Sequence, residues 1–188
     1  MTATLRSEDP GGVDGDARFS GNPDEHPIAE LRYLILAAQR EGNRLLAQAL
    51  RPLGLTPAQA EILSVLAERE PLTLAALGRY IVCETGSPSR IVETLFKRGL
   101  VEREAGQVDR RVVHLRLTLL GAKMLDDVNA INHALNESIG SQLNDEQRKT
   151  MVEALHRILQ DTISGSKINQ RFGSAAGAAL EQRSGYER

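Results

Sequence analysis

The chain has 188 residues, 41 % of them apolar and 3 % aromatic with no tryptophan, which suits one domain with an aliphatic, helix-rich core. No run of about 18 apolar residues occurs, and Glu8, Asp9, Asp14 and Asp16 stand where a secretory signal would have a basic start and an apolar stretch, so a cytoplasmic protein without a membrane span is expected. The one cysteine forms no internal disulfide and no Cys/His cluster has zinc spacing, so neither a structural metal nor a cofactor is expected.

The formal net charge is −2, but its distribution is uneven. From Arg79 to Lys123 nine basic residues stand against five acidic ones, a surplus of four that leaves the remainder of the chain at −6. Such a segment is either a solvated patch or a face that binds phosphates.

Residues 1–26, rich in Gly, Asp, Ser and Pro and without an apolar period, read as a disordered tail. A first helix is predicted over 28–50: Ile28, Leu31, Ile35, Ala38, Gly42, Leu45 and Ala49 recur in steps of three and four, and Leu34, Leu36 and Leu46 lie off that stripe. Apolar positions on more than one face ask for a second packing partner, such as another subunit. Thr56-Pro57-Ala58-Gln59 is a strong helix start, with a capping threonine, proline at the first helical position and glutamine able to reach back. Thr73 caps a third helix, with Leu74, Ala75, Leu77, Tyr80 and Ile81 expected to face inward.

The next helix is the expected reader of a nucleic acid. Ser87 can cap it, Pro88 fits its first turn and Gly99 can end it. Ile91, Val92 and Leu95 then pack inward and leave Ser89, Arg90, Glu93, Thr94 and Lys97 outward, where they can reach base edges and phosphates in a major groove. In isolation the same pattern fits an ordinary amphipathic surface helix. A two-stranded hairpin follows, opening at Leu100 to Arg103 and returning through Val113, Leu115 and Leu117, with Arg110 and Arg111 near its tip. A tip arginine gains from the concentrated negative potential of a narrow minor groove. Asp109, which phosphate would repel, is read as orienting Arg111.

Thr118 can cap a long helix with a stripe of Met124, Val128, Ile131 and Leu135. Asn144 to Gln147 starts a final helix, with Val152, Leu155, Ile158, Leu159 and Ile163 expected inside. Residues 164–188 read as a flexible C-terminal tail in which Ala175 to Leu180 can form a transient helix. The fold class is therefore mainly α with a small β-hairpin wing, a winged helix-turn-helix on a helical platform. Its DNA-binding lobe covers about 55–117 within a domain at 27–163, and its dimerisation helices are 28–50 and 118–163.

The chain resembles the MarR family of transcriptional regulators. The resemblance rests on Leu55 to Leu63, on Ser89-Arg90-Ile91-Val92-Glu93-Thr94-Leu95 leading to Lys97-Arg98-Gly99-Leu100-Val101, and on Asp109-Arg110-Arg111 followed by Leu115-Arg116-Leu117-Thr118 and Gly121. It implies a homodimeric repressor that binds a pseudo-palindromic operator on double-stranded DNA and yields to a small aromatic or phenolic effector. Carried over by position, Ser87, Ser89 and Arg90 match the DNA-facing start of the recognition helix, and Arg111 matches the wing-tip arginine. The family's usual small turn is replaced here by Val82-Cys83-Glu84-Thr85-Gly86, which leaves the helix start open by about one turn and makes Thr85 a further candidate contact. Cys83 reads as a small buried residue, since Glu84 beside it disfavours a thiolate; the alternative is a redox-responsive regulator.

No glycine-rich phosphate loop, nucleophile elbow or His-Glu-x-x-His motif is present, so an enzyme is not expected. The stronger rival to a DNA reader is a winged-helix module that binds protein.

Overall fold

The computed structural model describes residues 26–82, 87–106 and 109–184, except for the side chains of His26 and of residues 174–184. The described residues form α1 (His26–Leu50), a 3-10 turn (Arg51–Leu53), α2 (Pro57–Arg69), β1 (Leu72–Thr73), α3 (Leu74–Leu77), α4 (Pro88–Lys97), β2 (Val101–Ala105), β3 (Val113–Leu117), α5 (Leu119–Gly140), α6 (Asp145–Leu159) and α7 (Ile163–Ser184). The chain divides into two units, one ending at Arg40 and the other beginning at Glu41. In the first, α1 carries exposed Ile28, Leu31, Tyr33, Leu34 and Leu36, with the Arg32 guanidinium 4.3 Å from the Tyr33 ring centre.

In the second unit α2 is the central element. Its start is set locally: the Thr56 hydroxyl accepts from the Gln59 amide at 3.3 Å, the Gln59 side chain accepts from the Thr56 amide at 2.9 Å, and Pro57 occupies the first helical position. It buries Ala58, Ala60, Ile62, Leu63, Val65 and Leu66, and around these close Leu50, Leu55, Leu77, Ile81, Val92, Leu95, Leu100, Val101, Leu115 and Val128. Each fully buried leucine in that set contributes about 1.5–3 kcal/mol of transfer free energy.

The motif Leu117-Thr118-Leu119-Leu120-Gly121 has a mechanical reading. The Thr118 hydroxyl accepts from the Gly121 amide at 2.9 Å as the cap of α5 and donates to the Gly99 carbonyl at 2.6 Å. Gly121 faces the backbone of Leu100 so closely that a Cβ there would overlap the Leu100 carbonyl. One threonine and one glycine thus fasten the start of α5 to the turn between α4 and β2. Of the predicted stripe on α5, Met124, Val128 and Ile131 pack with the core, whereas Leu135 is partly buried outside it.

Five expectations change. The sheet has three strands, ordered β1-β3-β2 and antiparallel throughout, rather than two. The added strand, with Leu72 opposite Leu115 and Thr73 opposite His114, is two residues long and too short for any alternation to show. Helix α3 ends at Leu77, leaving Leu74 and Ala75 exposed while Leu77 and Ile81 enter the core. At the end of α1 the inward residues are Leu46, Ala49 and Leu50, whereas Leu45 of the expected stripe is 40 % exposed, because apolar residues on several faces leave the choice of face to packing. Helix α6 stops at Leu159, and within one chain it buries no residue fully: Val152 and Ile158 are about half exposed.

The fifth concerns residues 164–188, expected as a flexible tail, which form α7 as far as Ser184. The local cause is Thr162, whose hydroxyl accepts from the Gly165 amide at 3.0 Å and donates to the Leu159 carbonyl at 2.8 Å. Gly165 is buried against the Leu159 backbone where a side chain has no room, so a residue that reads as a loop former is the close-packed bend between α6 and α7. The tail expected over 1–26 lies outside the described residues apart from His26, which begins α1.

Candidate nucleic-acid interface

Helix α4 begins at Pro88 with Ser87 in an extended conformation before it, which closes the one-turn ambiguity in its start. Ser87 sits at the cap position, but its side chain makes no capping bond. Its hydroxyl pairs with that of Ser89 at 2.6 Å. The positive end of the helix dipole is therefore not closed by a side chain, a form suited to a phosphate oxygen.

At the other end Gly99 adopts φ 69°, with the Leu100 amide bonded to the Leu95 carbonyl at 3.0 Å and the Gly99 amide to the Phe96 carbonyl at 2.9 Å. This is a Schellman closure, and the left-handed conformation at its end favours glycine. Val92 and Leu95 face the core, and Ile91 is partly buried. Ser89, Arg90, Thr94 and Lys97 are exposed, and the spacing of Arg90, Thr94 and Lys97 puts them on one face. The Thr94 hydroxyl donates to the Arg90 carbonyl at 3.0 Å.

The wing is closed by its own backbone. The Gly106 amide bonds to the Val112 carbonyl at 2.8 Å, and the Val112 amide to the Asp109 carbonyl at 3.0 Å. The Asp109 carboxylate accepts from the backbone amide of Arg111 at 2.9 Å, so it acts on the main chain of Arg111 and not on its guanidinium. Arg110 and Arg111 are exposed, and among the described residues neither they nor Arg90 form an ion pair. Thr85 and Cys83 lie outside the described residues.

Three structural roles were not visible in sequence. Arg98 donates to the carbonyls of Gly54 at 2.7 Å and Leu53 at 3.1 Å, anchoring the end of α4 to the turn that leads into α2. Arg103 on β2 donates to the Glu93 carboxylate at 2.8 Å and lies 4.7 Å from the centre of the Phe96 ring, tying α4 to the wing; the Lys97 ammonium is 3.7 Å from the same carboxylate. Arg116 and Glu104 pair at 2.7 Å across β2 and β3. A cation after a helix end hints at Arg98's role, but its acceptors lie 44 and 45 residues earlier in the chain.

A family model described as a winged helix DNA-binding domain matches residues 55–121. The transcriptional regulator MhqR of Bacillus subtilis is 27 % identical over 127 residues, covering 67 % of this chain and 88 % of that protein. The multiple antibiotic resistance protein MarR of Escherichia coli is 26 % identical over 133 residues, covering 70 % and 92 %. A crystal structure of a mutant E. coli MarR complexed with operator DNA superposes with a TM-score of 0.64 at 25 % identity, over 74 % of this chain and 99 % of that one.

Proposed function

The chain belongs to the MarR family of winged-helix transcriptional regulators, and from that premise we propose that it is a homodimeric repressor of a pseudo-palindromic operator. In this reading two copies of α4 enter successive major grooves and two wings reach the flanking minor grooves. The observation that carries it is the pair of exposed cationic features in the matched domain: Arg90 at the uncapped start of α4, and Arg110 and Arg111 at the wing tip. Ser87, Ser89, Arg90, Thr94 and Lys97 contact bases and phosphates, Arg110 and Arg111 anchor the wing, and Asp109 holds the tip in shape. That a structurally similar MarR crystallised in complex with operator DNA supports duplex binding by this fold. The site of action is the cytoplasm.

Selecting bound duplexes from a random pool tests this directly. The expected product is a two-fold symmetric sequence whose half-sites lie about 10 base pairs apart, or a multiple of that. A pool that emerges unenriched removes sequence-specific reading.

For an effector, this reading assigns the broad open groove bordered by the end of α2, the end of β3 and the start of α5. Leu117, Leu120 and Leu125 supply apolar walls, while Glu70, Glu102 and Asp126 make its lining acidic. That charge repels an aromatic carboxylate and accepts hydrogen bonds from a neutral phenol, which favours a phenol over an aromatic acid as the ligand of this groove. Phenol-type ligands are expected to raise the melting temperature and release DNA, and benzoate-type ligands to do neither; the reverse ranking would remove this assignment.

A further inference from the structure

Two separate bridges run from α7 across α2 to the segment just ahead of the recognition helix. In the first, one carboxylate oxygen of Glu61 accepts from Arg171 Nη1 at 2.9 Å and from the Val82 amide at 2.9 Å, and Arg171 Nη2 lies 3.9 Å from the Glu68 carboxylate. In the second, Arg69 Nη2 donates to the carbonyls of Gln170 at 3.2 Å and Arg171 at 3.1 Å, and its guanidinium lies 4.6 Å from the centre of the Tyr80 ring. The bridges leave α2 eight positions apart, at Glu61 and Arg69, yet they end on Tyr80 and Val82, close before the Ser87 cap of α4.

The first bridge is protected from water, with the Arg171 and Glu61 side chains 14 % and 8 % exposed. A charge-assisted bond in that setting is stronger and less screened than the exposed pairs of the wing. The bend at Thr162 and Gly165 starts α7 back toward α2, and no residue of α7 belongs to the hydrophobic core among the described residues. Among the described side chains, the contacts that fasten α7 to α2 are therefore chiefly these polar ones.

We propose that α7 is a strap that holds residues 80–82 and so sets how α4 is presented to DNA, with Arg171 as a positioning residue that acts through Glu61. The DNA part of this inference rests on the function proposed above. The holding part does not. Loss of Arg171 frees the Val82 segment to sample other conformations, and operator binding then has to order it.

The test uses the full chain carrying Arg171→Ala or Arg171→Lys, read by amide hydrogen exchange and by binding to the selected operator and to an unrelated duplex. In the alanine variant the Val82 amide is expected to exchange about tenfold faster or more, while Leu63 and Leu66 of α2 keep their rates. Operator affinity falls by about tenfold, with the unrelated duplex and the salt slope little changed. The lysine variant, which keeps the charge but not the fork, lies between. An unchanged Val82 rate, or equal acceleration at Val82 and in the core, overturns the strap. A wild-type chain that binds no duplex overturns the DNA reading, and the exchange rates then decide separately whether α7 holds the segment.

Discussion

Arg90, Arg110 and Arg111 differ from Arg98, Arg103 and Arg116 in what each must give up before it can meet a phosphate. Arg98 closes two carbonyls, and Arg103 and Arg116 already hold Glu93 and Glu104. Arg90, Arg110 and Arg111 are exposed and carry no ion pair among the described residues. Replacing Arg90 or Arg111 with alanine is therefore expected to weaken duplex binding and to lower the slope of log affinity against log salt by about one each. Slopes unchanged in both variants would favour a module that grips protein instead. At Gly121 the constraint is steric: alanine there meets the Leu100 carbonyl, and urea denaturation is expected to show a loss of about 1–3 kcal/mol. A variant as stable as the parent would mean that α5 can move away from the α4–β2 turn without penalty.

The helix starts divide into those made for stability and one left open. Thr56 and Gln59 cap each other fully, so Thr56→Ala is expected to cost about 1 kcal/mol in denaturant. Ser87 occupies the equivalent position on α4 without making a capping bond, so Ser87→Ala is expected to leave stability within about 0.5 kcal/mol and to act on DNA affinity alone. Comparable stability losses in the two variants would show that Ser87 caps α4 in solution. Legibility follows the same division. Helices α2 and α5 are readable because cap, proline and apolar spacing act within a few residues. Strand β1 is not, since Leu72 and Thr73 pair only because β3 lies beside them. Helix α7 is hidden for a different reason: Gly165 and its serine neighbours have loop propensity, and tertiary contact overrides it.

For the molecule as a whole, the apolar surface that one chain leaves open is the argument for a second. Met151, Val152 and Ile158 on α6 are 53 %, 49 % and 54 % exposed, more than a monomer gains from presenting to water along one helix. Ile158→Glu is expected to shift the protein toward the mass of one chain in sedimentation and to weaken binding to a duplex with two half-sites far more than to one with a single half-site. A parent protein that sediments as one chain would remove the two-headed model. By itself the sequence determined the start of α2, the end of α4 at Gly99, the capped entry into α5, and the identity of the wing tip, because capping, left-handed glycine and apolar period are interactions between near neighbours. Only the tertiary structure decided which face of α1 turns inward at Leu50, that Arg98 and Arg103 are fasteners and not free cations, and that Arg171 meets Glu61 across 110 positions of chain. Those contacts depend on where distant backbone lands, and no local propensity encodes that.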